Sequence, residues 1–213
     1  MLPTHIETEI AELATRYGEP LRTVAQLGGQ PISPITKNDR IGEVCMVVRR
    51  PNGKLITATK TFYPPNGFRL LTGGIDHGET IEAALLRETF EETGLAIVVR
   101  QFLAIVAYHT AWDVDADSID DSKKRHSATR ATPFTTYAFL LDEIGGTLAP
   151  QDEKERLGEF REVAIEELPA MANTLDHIVD GQSEEIAGSW RDWGAFRAII
   201  HRVVYDALVK HTL

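Results

Sequence analysis

The sequence predicts a mixed α/β domain in which helices pack on a mixed β-sheet. Two observations carry this prediction. Strand-like stretches of alternating or continuous apolar residues are interspersed along the 213-residue chain with stretches of helical periodicity. The hydrophobic fraction, 43%, is also high enough to build a well-packed core. This length fits one domain of ordinary size with extensions.

The N-terminal part of the chain predicts a helix and then an arm. In residues 4–17 the apolar positions recur at spacings of four, three and four, which places them on one helix face. These positions are Ile6, Ile10, Leu13 and Tyr17. Gly18 ends this helix. Residues 28–40 carry two glycines and two prolines, which is typical of a linker or arm.

The strands follow from apolar and β-branched runs. A hairpin is predicted where PNGK, residues 51–54, separates two such runs. The predicted strands are 41–50, 55–62, 69–71, 134–141 and 159–165, and residues 95–108 are predicted to form one or two more. Two helices follow at 166–179 and 190–209, and the second has an apolar stripe that predicts docking on the core. The polar residues 110–132 predict a surface insertion.

Composition limits the possible function. The net charge of −10 repels nucleic-acid backbones, so a nucleic-acid polymer is a poor partner, whereas divalent cations can bridge an acidic site to a small phosphate compound. No apolar run approaches the length of a membrane span, and no signal peptide is visible, so we expect a cytoplasmic protein without membrane contact. The single cysteine, Cys45, lies in an apolar run and is expected in the core.

The stretch GGIDHGETIEAALLRETFEETGL, residues 73–95, carries the chemistry. A glycine loop, including Gly73 and Gly74, is predicted after the strand, and a helix is predicted from the N-cap Thr80 to the C-terminal stop Gly94. One line of this helix is aliphatic at its start and acidic at its end. Its members are Ile81, Leu85, Glu88 and Glu92. Leu86 and Phe90 lie roughly opposite and could pack on a second layer.

A carboxylate that faces a core is costly unless it is paired or coordinated. Glu88, Glu91 and Glu92 also repel one another, and Arg87 alone cannot neutralise all three. Carboxylate oxygens without histidine or cysteine suit Mg²⁺ or Mn²⁺, and backbone carbonyls of the glycine loop can complete the shell. Arg87 can pair with Glu91 four residues on. The alternative is a solvated, charge-rich helix face.

The stretch at residues 73–95 resembles the signature of the Nudix hydrolase family, G-x5-E-x7-R-E-U-x-E-E-x-G-U, where U is a bulky aliphatic residue. The matching residues are Gly73, Glu79 and the run Arg87-Glu88-Thr89-Phe90-Glu91-Glu92-Thr93-Gly94-Leu95. Every glycine, glutamate and arginine of the pattern is present. The departure is Thr89, at a position where the family prefers an aliphatic side chain. A looser resemblance covers residues 41–168. It implies an α/β/α sandwich with a mixed sheet, extended here by the N-terminal helix and the C-terminal helices.

The resemblance implies hydrolysis of a pyrophosphate bond in a nucleoside diphosphate linked to another moiety, with Mg²⁺ or Mn²⁺. It makes Glu88, Glu91 and Glu92 metal ligands, oriented by Arg87. Glu79 would assist through water or a second metal, and the carbonyl of Gly73 is a further candidate ligand. A downstream loop often supplies one more carboxylate, and Glu155 is favoured among several candidates here. The candidates are Asp152, Glu153, Glu155 and Glu159.

The signature does not fix the domain boundaries or the substrate. We predict an N-terminal helix and arm at 1–40, the hydrolase domain at 41–170 and a C-terminal helical extension at 171–213. ADP-ribose or a nucleotide sugar is the favoured substrate type, although specificity resides in loops that the signature does not determine. The alternative is a ligand-sensing module that keeps the fold without turnover. A homodimer is possible, because such proteins commonly form one.

Overall fold

The computed structural model describes residues 4–37, 39–110 and 133–210. All but the first residue of the predicted insertion at 110–132 lies outside these ranges. The helices are α1 (Thr4–Tyr17), α2 (Ser33–Thr36), α3 (Ile81–Thr93), α4 (Leu168–Asp176) and α5 (Trp190–Lys210). The strands are β1 (Leu21–Leu27), β2 (Arg40–Arg49), β3 (Leu55–Lys60), β4 (Arg69–Asp76), β5 (Leu95–Thr110), β6 (Phe134–Gly146), β7 (Leu157–Val163), β8 (Gln182–Ser183) and β9 (Gly188–Ser189).

Seven of the strands form one mixed sheet in the order β1-β5-β6-β2-β4-β3-β7. The pairs β1–β5 and β2–β6 are parallel, and the other neighbouring pairs are antiparallel. The short strands β8 and β9 pair separately. Strand β2 lies inside the sheet between β6 and β4, which places its residues next to the glycines of β4.

Helices cover both faces of the sheet, which confirms the predicted α/β/α arrangement. Val44, Met46 and Val48 of β2 pack in a core cluster with α1 and α3, and Cys45 and Val47 pack in a second cluster with α4 and α5. Alternate residues of a strand point to opposite faces, so burial on both faces explains the continuous apolar run of β2. Cys45 is fully buried, as expected.

The C-terminal helix α5 docks on the core through its apolar stripe. Trp193, Phe196, Ile200, Val204 and Leu208 are buried, and Val203 is partly buried against the same cluster. The N-terminal helix α1 spans the predicted residues and packs its apolar face on the opposite side of the sheet. In the described part of the chain, no helix has the length and hydropathy needed to cross a membrane.

Several features differ from the sequence predictions, among them the helix α2 within the predicted arm and the unpredicted pair β8–β9. Gly73 and Gly74 lie inside β4 and pair with Val44 and Glu43, so the segment predicted as a glycine loop continues the strand. Leu86 and Phe90 are 47% and 56% exposed, so the interpretation that they could pack on a second layer was wrong. Residues 21–27 form a strand, β1, that the sequence reading missed.

The three-part division of the chain stays a prediction. Strand β1 lies before the predicted boundary at residue 40, yet it pairs with β5 of the main sheet. Its weak sequence signal has a physical reason. At the edge of the sheet only every second residue of β1 is partly covered, so a long apolar run is not needed.

Candidate active site

The site is built where β4 leads through a tight turn into α3. The hydroxyl of Thr80 accepts a hydrogen bond from the backbone N–H of Ala83, at 3.1 Å, and so caps the first turn of α3. At the other end Gly94 adopts a left-handed conformation, with φ of 65°, and donates its N–H to the carbonyl of Phe90. Both ends of the helix fall where the sequence predicts them.

The acidic end of the helix line is buried. Ile81 and Leu85 are fully buried, and the same line continues to Glu88, which is 7% exposed, and Glu92, which is 0% exposed. Gly73 makes the position of Glu88 possible, because a Cβ atom at Gly73 would lie 2.1 Å from Cδ of Glu88. A glycine is therefore required on β4 for the carboxylate to lie against the strand.

Glu155 reaches the same place from a distant loop. The carbonyl of Glu91, near the C-terminal end of α3, accepts hydrogen bonds from the N–H groups of Gln151 and Asp152, at 2.8 and 3.4 Å. This docking satisfies a free carbonyl of the last helical turn and holds the 3-10 turn Glu153–Glu155 beside the helix. Lys60 of β3 contacts Oε2 of Glu155 at 2.9 Å.

Three carboxylates meet as a result. Glu88, Glu92 and Glu155 each offer an oxygen, and these oxygens all lie within 4.8 Å of one another. Both carboxylate oxygens of Glu92 are buried without a hydrogen-bond partner among the described residues. Burial raises the pKa of Glu92 to about 7 and also raises the pKa of Glu88. An all-oxygen donor set with unmatched negative charge fits a hard divalent cation such as Mg²⁺ or Mn²⁺.

Arg87 connects the remaining glutamates. Its guanidinium donates two hydrogen bonds of 2.8 Å to Glu79, and others to Glu88 and Glu91, at 2.9 and 3.0 Å. Nη2 also donates to the carbonyl of Gly74, at 2.9 Å, which ties the helix to β4. The hydrogen bonds from Arg87 lower the pKa of Glu79. The predicted pair between Arg87 and Glu91 is therefore present within a larger network.

Two further candidate ligands, Glu91 and Gly73, lie beside the cluster of three carboxylates without belonging to it. Glu91 is half-buried and bonds to Arg87. The carbonyl of Gly74 is occupied by Arg87, and Gly73 lies next to the Glu88 carboxylate. Ligand roles for Glu91 and Gly73 stay predictions. Thr89, the departure from the signature, is fully buried and donates its hydroxyl to the carbonyl of Leu85, at 2.6 Å.

A cavity of about 280 Å³ opens beside the carboxylates. Residues distant in sequence line it, and the sequence reading missed several of them, because nothing in their local sequence marks them as part of a site. These are Glu43, Lys60, Arg69, Trp193 and Arg197. Arg69 is buried and donates to Tyr63 Oη, at 3.1 Å, and to Thr72 Oγ1, at 3.0 Å. The aromatic residues Phe62 and Tyr63 also line the cavity.

A family model described as the NUDIX domain matches residues 39–181. The chain belongs to the Nudix family. The match spans the sheet from β2 to β7 together with α3 and α4. Helix α5 lies outside the matched residues.

Individual relatives are similar at lower identity. The chain is 26% identical over 176 residues to the NAD-capped RNA hydrolase NudC of Chromobacterium violaceum, covering 82% of this chain and 55% of that relative. It is 28% identical over 134 residues to the ADP-ribose pyrophosphatase of Methanocaldococcus jannaschii, covering 62% of this chain and 67% of that relative. The chain thus spans about half the length of the first of these. A solved structure of UDP-X diphosphatase is 13% identical with a TM-score of 0.45, covering 99% of this chain and 73% of that one.

Proposed function

We propose that this Nudix protein is a Mg²⁺- or Mn²⁺-dependent pyrophosphohydrolase acting on a nucleoside diphosphate linked to another moiety. The observation that carries the proposal is Glu92, a fully buried carboxylate without a hydrogen-bond partner in the described part of the chain. A buried charge without a partner is strongly unfavourable. A cation held with Glu88 and Glu155 would supply the missing partner, which supports a metal site at this position.

The proposed ligands are the carboxylates of Glu88, Glu91, Glu92 and Glu155 with the carbonyl of Gly73. When bound, Mg²⁺ or Mn²⁺ supplies neutralisation of the diphosphate charge and a lowered pKa for a coordinated water. Arg87 fixes the carboxylates of Glu88 and Glu91 through the hydrogen bonds described above. It holds Glu79 in the same network, through two further bonds.

A carboxylate is the proposed acceptor of the proton that the attacking water loses. The base that accepts the proton of the attacking water is Glu88, Glu92 or the carboxylate from outside the helix, Glu155. Burial raises the pKa of Glu88 and Glu92, which brings both closer to neutral pH, where a general base is most effective. Lys60, bonded to Glu155, restrains that carboxylate at the edge of the cavity.

The proposed substrate is a small nucleotide derivative of the ADP-ribose or nucleotide-sugar type. The names of two relatives, ADP-ribose pyrophosphatase and NAD-capped RNA hydrolase, support this class, because ADP-ribose and NAD both contain a diphosphate between two nucleoside or sugar groups. The net charge of −10 argues against tight binding of a long nucleic acid. A homodimer stays a prediction.

The test is phosphate release, after phosphatase coupling, from a panel of ADP-ribose, NAD, UDP-glucose and diadenosine tetraphosphate with Mg²⁺ or Mn²⁺. Wild type is compared with Glu92→Gln, and Glu159→Gln is the matched control, because Glu159 is exposed on β7. We expect metal-dependent turnover in wild type and Glu159→Gln, and its loss in Glu92→Gln.

A second readout separates an enzyme from a sensing module. Mn²⁺ at about one hundred times its dissociation constant should stabilise wild type by roughly 2.7 kcal/mol, and this stabilisation should be absent in Glu92→Gln. No turnover by a folded wild-type protein that still binds metal and nucleotide would contradict the hydrolase proposal and favour the sensing module.

A further inference from the structure

The cavity has a second side, remote in sequence from the Nudix signature. Arg197 of α5 lines the same cavity as Glu88 and Glu155. Its Nη1 donates hydrogen bonds to both carboxylate oxygens of Glu43 on β2, at 2.8 and 2.9 Å. Oε1 of Glu43 also accepts from the hydroxyl of Thr136 on β6, at 2.8 Å. The two charged side chains are only 6% and 4% exposed.

This ion pair leaves donors unused. Nη1 makes both bonds to Glu43, and Nε of Arg197 is buried without a hydrogen-bond partner among the residues that the structure describes. A guanidinium has five N–H donors. Nε is fully buried, so the donors left for a ligand in the cavity are the two N–H groups of Nη2, which make no hydrogen bond to the described residues. A buried ion pair is also weak evidence for stability, since apolar residues of similar volume often stabilise a fold equally well. The free N–H groups of Arg197 beside the cavity, rather than the ion pair itself, are the feature that points to a ligand.

The chemistry of the pair selects the kind of acceptor. Glu43 neutralises the charge of Arg197, so this side of the cavity offers N–H donors with little net attraction for a further phosphate. Tyr63 and Trp193, whose ring centroids are 4.6 Å apart, line the same side and provide an apolar wall. A sugar ring, which combines hydroxyl oxygens with an apolar face, matches both features.

We infer that Arg197, positioned by Glu43, binds a sugar hydroxyl oxygen of the substrate, so that helix α5 contributes a specificity-determining residue to the site. This inference rests on the proposed nucleoside-diphosphate substrate. The family match ends at residue 181, so Arg197 belongs to the part of the chain outside it. The sugar is either the ribose of the nucleoside or the sugar on the other side of the diphosphate, and the test distinguishes them.

The experiment measures binding by calorimetry, without relying on turnover. ADP-ribose and ADP are titrated into wild type, Arg197→Lys and Arg191→Lys, and Mn²⁺ binding is followed by electron paramagnetic resonance. Lysine keeps a positive charge beside Glu43 but loses the additional N–H groups. Arg191 is the matched control, because it lies on the same helix with its side chain 68% exposed.

We expect Arg197→Lys to weaken ADP-ribose binding about tenfold or more, the effect of losing a hydrogen bond to a charged donor. Mn²⁺ affinity should not change, and Arg191→Lys should bind both nucleotides like wild type. A loss for ADP-ribose alone assigns Arg197 to the second sugar. An equal loss for ADP and ADP-ribose, with Mn²⁺ affinity retained, assigns it to the ribose of the nucleoside.

Other outcomes overturn the inference. Unchanged binding of both nucleotides in Arg197→Lys would contradict it while leaving the proposed hydrolase intact. Parallel loss of nucleotide and Mn²⁺ binding would show a structural role instead. If wild type binds neither nucleotide, the inference and the proposed substrate class fail together. Nucleotide binding that depends on Arg197, without any turnover, would support the inference and contradict the hydrolase proposal.

Discussion

Two buried glutamates of this protein have opposite environments. Glu43 on β2 is 3% exposed, and Arg197 and Thr136 bond to its carboxylate. Glu92 on α3 is 0% exposed, and neither of its oxygens has a hydrogen-bond partner in the described ranges. The comparison teaches that burial alone does not identify a functional carboxylate. A buried carboxylate whose hydrogen bonds the protein supplies can be structural, whereas one without a hydrogen-bond partner needs another explanation, which the proposed metal site would provide.

The largest expected difference is between Glu92→Gln and Glu43→Gln. Glu92→Gln should lower kcat roughly a thousandfold, since it removes a proposed metal ligand and candidate base, and it should leave the fold stable. Glu43→Gln leaves the buried charge of Arg197 uncompensated and should lower the unfolding free energy by about 3 kcal/mol. Steady-state kinetics and thermal unfolding of both variants provide the measurement. Equal destabilisation by the two substitutions would invalidate the comparison.

A pair of glycine substitutions tests how closely Glu88 must approach β4. The Cβ atom of Gly73→Ala would lie 2.1 Å from Cδ of Glu88, so the carboxylate must move by an ångström or more. A displacement of that size should lower kcat/KM about a hundredfold. Gly74→Ala is the matched control, because its Cβ would meet the flexible end of Arg40, at 2.9 Å. We expect a clearly smaller loss there, and similar losses in both variants would contradict the assigned position of Glu88.

Arg87→Lys tests the network that orients the carboxylates. A lysine ammonium cannot reproduce the fork of hydrogen bonds from Arg87 to Glu79, Glu88 and Glu91. We expect metal affinity or activity to fall about tenfold to a hundredfold. The control is Arg16→Lys, whose arginine makes a bidentate pair with Glu82 near the other end of α3. If both substitutions have the same effect on Mn²⁺ affinity, Arg87 does not act through the carboxylates.

The smallest expected effect on activity comes from His201, a buried titratable group of α5. Its ring accepts the N–H of Leu70, at 3.1 Å, and burial lowers its pKa to about 4 from an ordinary 6.5. The unfolded chain therefore binds a proton below pH 6.5 that the folded protein does not bind until about pH 4. Stability present above pH 6.5 should be lost as the pH falls towards 4, by on the order of 3 kcal/mol.

The check is urea unfolding of wild type and His201→Gln from pH 7.5 to 4.5. The variant cannot titrate at this position, so its stability should fall less steeply with acid than that of wild type. His109→Gln serves as the control, because His109 is exposed. Identical pH profiles for wild type and His201→Gln would show that the histidine is not held neutral in the fold.

The sequence predicted the signature helix well, because the determinants of that helix are local. The cap at Thr80, the stop at Gly94 and the pairing of Arg87 with Glu91 each depend on residues within one or two helical turns. The exposure of Leu86 and Phe90 was not predictable in the same way, since periodicity identifies a second apolar face without showing whether another element covers it.

The α/β class, the family and the line of carboxylates were all predictable from the sequence alone, since periodicity and fixed spacing are properties of neighbouring residues. Long-range contacts, in contrast, place Gly73 within a strand, bring Glu155 to Glu88 and Glu92, and join Arg197 to Glu43 across 154 residues. Those contacts depend on strand pairing and on helix docking. Strand pairing and helix docking are both set by the burial of the whole core, so they cannot be predicted from any single stretch of sequence.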